Sequence, residues 1–117
     1  MTGRFSRRER LTSSAQIQAL FQQGKRIDRP LLTVLWRESA GPRRAGFAVT
    51  RQIRGAVRRN RARRRLREAY RAARGVAPDR VAVMMIAKRG ALEGEFAGLT
   101  KQLRDALSVI PGARTSG

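Results

Sequence analysis

The chain has no cysteine and no histidine. The first absence excludes disulfides, thiolate metal sites and a cysteine nucleophile; the second removes imidazole as a base or ligand. Acids are scarce too: Glu9, Asp28, Glu38, Glu68, Asp79, Glu93, Glu95 and Asp105 are eight among 117 residues. None forms the D-x-D or E-x-x-D pair at a strand end that two-metal phosphodiester cleavage calls for. Asp28 and Asp79 are the two that could converge, yet both fall where loop and cap residues are expected. The polypeptide alone is therefore a poor catalyst candidate, with no metal, cofactor or small-molecule substrate indicated. No apolar run approaches the roughly 20 residues that span a bilayer. No hydrophobic stretch follows MTGRFSRRER as it would in a signal peptide, so a cytoplasmic, reducing location is the default and no membrane partner is expected.

Lysine is nearly absent as well. Of 27 basic residues only Lys25, Lys88 and Lys101 are lysine; the rest are arginine, and the net charge is +19. Such a field implies a polyanionic partner, nucleic acid first and an anionic membrane surface second. Arginine suits phosphate, because its planar fork pairs two oxygens and stacks on bases. Apolar content is an ordinary 41%, so one folded domain is expected. Residues 10–110 form that domain, residues 1–9 a flexible basic arm and residues 111–117 a disordered tail.

SSAQIQALFQQG reads as a short helix. Ser13 can cap it with Gln16 three residues on, Ile17, Leu20 and Phe21 share a face, and Gly24 ends it. Leu31 to Trp36 reads as a strand. After the Gly41-Pro42 turn, Ala45 to Arg51 reads as a second strand pairing with the first. From Gly55 to about Ala73 a helix is expected, with Ala62, Leu66, Ala69, Tyr70 and Ala73 as its apolar stripe. Val81 to Ala87 is wholly apolar, a strand buried on both faces. Leu92, Phe96, Leu99, Leu103 and Leu107 mark a last amphipathic helix with Glu93 and Glu95 in its first turn. The order α-β-β-α-β-α gives an α+β fold, a single two-layer α/β sandwich. Its β-α-β crossover would be right-handed by default.

The second helix region is the informative one. Arg58, Arg59, Arg61, Arg63, Arg64, Arg65, Arg67 and Arg71 fall within sixteen residues, with Glu68 the one acid. Like charges at i, i+4, as in Arg59/Arg63 and Arg63/Arg67, cost a helix a few tenths of a kcal/mol each, about 0.2–0.5. A merely solvated face would interleave glutamates, so this face points to a phosphate backbone. Asn60 either bonds the chain locally or meets a base edge. Among the six aromatics, Trp36, Tyr70 and Phe96 read as core more readily than as stacking platforms, and Phe21 is open to either.

RQIRGAVRRNRARRRLREAYR, Arg51 to Arg71, resembles the signature of the protein subunit of bacterial ribonuclease P: Ala56-Val57, one residue, Arg59-Asn60-Arg61, then Arg63, Arg64, Arg67 and Tyr70. Arg10-Leu11, the helix ending in Phe21 and Gly24, GFAVTR and VAVMMIAKRGA are similar to its flanks, so the resemblance covers roughly 8–109. It implies a small mixed sheet with a left-handed β-α-β crossover. It implies that Arg58, Arg59, Asn60, Arg61, Arg63, Arg64, Arg65, Arg67 and Arg71 bind the catalytic RNA, whose Mg²⁺ does the chemistry. It also implies a cleft for the single-stranded 5′ leader of precursor tRNA, formed by Ile17, Phe21, Trp36, Thr50 and Arg51. Many members carry an aromatic where this chain has Ile17, and tyrosines where it has Leu35 or Trp36, which leaves Phe21 as the stacking candidate. A ribosome-associated protein of similar fold and a nucleoid-type DNA binder are the competing readings.

Overall fold

Ser13 opens the first helix: its Oγ accepts from the Gln16 amide at 3.3 Å, and the helix α1 runs Ser14–Gln23. Gly24 closes it, and a Cβ there would collide with the Leu20 carbonyl. The chain is described by a computed structural model over residues 9–113. Four strands follow, β1 Lys25–Asp28, β2 Leu32–Glu38, β3 Arg44–Val49 and β4 Val81–Ala87, in the sheet order β1-β2-β4-β3. Helix α2, Ala56–Ala73, leads from β3 to β4, and α3, Arg89–Glu93, and α4, Phe96–Ser108, come last.

Three expectations change. First, Lys25–Asp28 is a strand that local reading misses. KRID is short and charged, and it pairs antiparallel with β2 because the adjacent Arg29–Leu31 turn folds it back, Ile27 opposite Val34. Second, β3 does not pair with β2. The apolar β4 lies between them, antiparallel to β2 (Val34 opposite Met85) and parallel to β3 (Ala45 opposite Val83). A strand apolar on both sides belongs in the middle of a sheet. The loop between β2 and β3 passes over its start, where the Ser39 amide donates to the Arg80 carbonyl at 3.2 Å. Third, the last helix is two. Gly94 separates α3 from α4, so Glu93 ends the first and Glu95 precedes the second without capping it.

Strand alternation sends side chains to two cores. Val34, Trp36, Val83 and Met85 meet Leu66 and Tyr70 of α2 and Leu99, Leu103 and Leu107 of α4 on one face. That sheet-and-helix pair is the two-layer sandwich. Leu35, Ala82 and Met84 meet Leu20 and Leu11 on the other face, where α1 lies. Each fully buried leucine contributes roughly 1.5–3 kcal/mol, and the larger core is the one that fixes α2. All five residues of the expected α2 stripe are buried.

The start of the folded domain also differs from expectation. Glu9, read as part of the arm, is buried, with its carboxylate accepting from Arg43, Arg74 and Tyr70. Leu11 then donates its amide to the Ala45 carbonyl at 2.9 Å, covering the outer edge of β3. The rest of the expected arm, 1–8, and the tail residues 114–117 lie outside the described residues.

Candidate nucleic-acid interface

Gly55 turns the chain into α2 at φ +89°, a conformation that suits glycine. The helix begins with no side-chain cap and no acid in its first turn, so its positive end is uncompensated. With Ala62, Leu66, Ala69, Tyr70 and Ala73 turned to the sheet, the arginines line the remaining surface.

These arginines are not equivalent. Arg61 and Arg64 are exposed and make no hydrogen bond or ion pair within the described residues. Arg63 is half-buried and donates to the Asn60 Oδ1 at 3.0 Å, which gives Asn60 a local partner and steers Arg63 along the helix. Arg58 lies 3.9 Å from Glu93, and Arg71 donates to Glu68 at 2.9 Å, both at exposed positions where such pairs contribute little. Arg67 sits with its guanidinium carbon 5.8 Å from the Phe47 ring centre, and its Nε is buried without a hydrogen-bond partner among the described residues.

Arg59 and Arg65 point inward along the protein surface. Arg59 Nη1 donates to the carbonyls of Thr50 and Ile53, both at 3.0 Å, and Nη2 to that of Val49 at 3.2 Å. Arg65 Nε donates to the Ala91 carbonyl at 2.7 Å and Nη2 to that of Gly94, with the Phe96 ring beside its guanidinium. Sequence reading placed both with the RNA contacts. Nothing local distinguishes them, because the carbonyls they meet, in β3 and α3 and in the turns that follow, take positions that depend on the whole fold.

The second candidate surface is the sheet face beneath α1. Ile17 is half-buried against Leu20, Leu35, Ala82 and Met84, and Ala48 and Ile86 border the same cluster. Gly46 keeps this floor low: a Cβ there would come within 2.8 Å of Met84 Cε and 3.3 Å of Leu11 Cδ2. Phe21 is 54% exposed, so it is not a core residue. Thr50 continues the β3 ladder through its amide to the Ala87 carbonyl and shares the parity of Ala48, while Arg51 is exposed at the turn that follows.

Trp36 does not join them. It is one residue out of phase with Leu35, so it packs on the α2 side of the sheet and is only 7% exposed, with Lys25 Nζ 5.1 Å from its ring centre. The sequence gives no sign that Asp28 pairs with Lys88, yet the two meet at 2.8 Å at the end of this face. Hydrogen bonds from Lys88 and then Thr33 hold the Asp28 carboxyl down at about 2, so it stays ionised at any physiological pH. Asp28 and Asp79 do not converge. Asp28 lies beside the end of β4, through Thr33 opposite Ile86, whereas Asp79 precedes its start.

The sequence profile of the ribonuclease P family matches residues 5–110. The chain belongs to the ribonuclease P protein family. The ribonuclease P protein component of Gluconacetobacter diazotrophicus is 36% identical to it over 104 residues, spanning 86% of this chain and 90% of that protein. That of Streptomyces avermitilis is 38% identical over 101 residues, spanning 78% and 82%. The solved ribonuclease P protein of Thermotoga maritima superposes with a TM-score of 0.77 at 28% identity, covering 89% of this chain and 99% of that one. The Staphylococcus aureus protein, at 18% identity and a TM-score of 0.74, shares the fold. Within the family frame, the Arg59-Asn60-Arg61 motif lies on the first turns of α2, and the face beneath α1 is separated from it by the Thr50–Ile53 turn. No helix among the described residues is long and apolar enough to cross a membrane.

Proposed function

We propose that this chain is the RNA-binding protein subunit of a cytoplasmic ribonuclease P ribonucleoprotein, which removes the 5′ leader from precursor tRNA. The catalytic RNA carries the chemistry, using Mg²⁺ held by that RNA. The polypeptide binds the catalytic RNA along α2, positions the leader on the face beneath α1, and screens phosphate repulsion between the two RNAs. The observation that carries this reading is the outer surface of α2 in a member of this family: Arg61 and Arg64 are exposed and have no partner among the described residues, on a helix whose first turn carries no acid. Such an arrangement is costly to a helix alone and favourable against phosphates. The leader reading is supported by the exposure of Phe21 on α1, which leaves a ring free for base stacking.

Reconstitution tests it. The purified chain is mixed with the ribonuclease P RNA of the same organism and a precursor tRNA at low Mg²⁺, and 5′ cleavage is compared with RNA alone. Faster cleavage and tighter precursor binding are expected. No gain over RNA alone would sink this reading, and stable association with ribosomal particles instead would favour the ribosome-associated alternative.

A further inference from the structure

Arg59 lies within the Arg-Asn-Arg motif, yet its guanidinium donates to three backbone carbonyls of its own chain, those of Val49, Thr50 and Ile53. The three mark the end of β3 and both ends of a tight turn, closed by the Ile53 amide donating to the Thr50 carbonyl at 3.2 Å. Ile53 is fully buried below the turn, and Arg51 stands exposed at its corner. The Thr50 carbonyl therefore accepts twice, from Ile53 and from Arg59. The Val49 and Ile53 carbonyls have Arg59 as their partner among the described residues. Val49 ends a sheet edge and Ile53 precedes a helix, so neither carbonyl has a ladder to join.

We infer that Arg59 is a positioning residue, which locks the Thr50–Ile53 turn to the first turn of α2 and so holds the two RNA-facing surfaces in one fixed relation. The geometry is specific to a planar fork. A lysine ammonium keeps the charge but is a compact donor on a flexible stem, and it cannot bridge three carbonyls that converge from different directions. The turn joins the floor beneath α1, through β3, to the helix that carries Arg61 and Arg64. A loosened turn would let Thr50 and Arg51 shift against α2 without altering the charge of either surface.

This inference rests on the proposed leader and RNA contacts for its functional half, and its structural half can be read without RNA. The variants are Arg59→Lys and Arg59→Ala, with Arg61→Ala as the control. In the free protein, amide hydrogen exchange at Ile53 should be about tenfold faster in both Arg59 variants, the effect of losing charge-assisted hydrogen bonds. Exchange at Leu66 in the middle of α2 should not change, which separates a loosened turn from general unfolding. In reconstituted enzyme, Arg59→Lys should reduce the preference for precursor over mature tRNA by roughly threefold or more while leaving the salt dependence of catalytic RNA binding as in the wild type. Arg61→Ala should do the reverse. If Arg59→Lys matches the wild type in exchange and in substrate preference, the inference fails. It also fails if Arg59→Ala leaves Ile53 exchange unchanged and lowers the salt slope, since Arg59 would then be a phosphate contact. Faster exchange with an unchanged precursor preference would overturn the link between the surfaces. A wild-type protein that shows no precursor preference at all would count against the proposed function instead, and the exchange measurement would still decide whether Arg59 holds the turn.

Discussion

The phenol of Tyr70 donates to the carboxylate of Glu9, 61 residues away in the chain, inside the core. The same carboxylate accepts from Arg43 Nε at 3.1 Å and Arg74 Nη1 at 2.9 Å, and it is this cluster that fastens the entry of the domain to the end of α2. Glu9→Gln would leave two partly buried guanidinium groups without a counter-charge. It should destabilise the fold by about 2–3 kcal/mol, less than a fully buried pair because both arginines reach solvent. Tyr70→Phe, which keeps the ring and its edge-on contact with Phe47, should cost about 1–2 kcal/mol. Urea denaturation checks both: the midpoint should fall with an unchanged m-value. A wild-type midpoint for Glu9→Gln would mean that the cluster contributes nothing.

Tyr70 also makes the alkaline limit of stability readable. Burial, and then its hydrogen bond to Glu9, push its phenol well above the ordinary tyrosine value. In the unfolded chain the phenol titrates near pH 10, so above that pH the folded state holds a proton that the unfolded state has released. The contribution of the phenol to stability is therefore complete below pH about 10 and is lost as pH rises towards the folded value. Because Tyr70 is the one tyrosine, phenolate absorbance reports it alone. The native protein should show no phenolate step at pH about 10, whereas the chain in urea should. A native step at that pH would place Tyr70 in water.

Caps and apolar runs are legible in the sequence, whereas strand neighbours and the break at Gly94 are not. The α1 boundaries follow from Ser13 and Gly24, and those of β4 from its unbroken apolar run. The neighbours of β4 are another matter, because an apolar strand carries no mark of which partner it takes on each side. The placement of Trp36 depends on one residue of strand phase, which the mixed apolar stretch from Leu31 to Trp36 leaves open. At the proposed interface, charge and spacing single out α2 as the strongly basic helix. They do not tell Arg59 and Arg65, which serve the fold, from Arg61 and Arg64, which face solvent, since all four occupy helical positions of the same composition.

That division among the arginines can be measured. Arg61→Ala and Arg64→Ala should each lower the slope of log affinity for catalytic RNA against log salt by about 0.7–0.9 for each lost phosphate contact, with folding stability changed by less than about 0.5 kcal/mol. Arg65→Ala removes the donors to the Ala91 and Gly94 carbonyls, so it should reduce stability by about 1–3 kcal/mol and leave the salt slope alone. The pairing of a binding titration at several salt concentrations with a denaturation curve separates the two groups. An unchanged slope for Arg61→Ala would remove that residue from the interface.

Phe21 provides the sharpest test of the proposed leader surface, because its ring has little structural work to perform. It is 54% exposed at the edge of α1, while Leu20 beside it is buried and holds the helix to the sheet. Phe21→Ala should therefore cost less than about 1 kcal/mol of folding stability, well below the loss expected for a core aromatic. If a leader base stacks on the ring, the same change should weaken precursor tRNA binding by roughly 1–3 kcal/mol and leave mature tRNA, which lacks the leader, unaffected. Phe21→Trp should restore the precursor preference, since a larger ring still offers a face. Equal losses for precursor and mature tRNA would assign Phe21 to some other contact and count against a leader base stacked on α1.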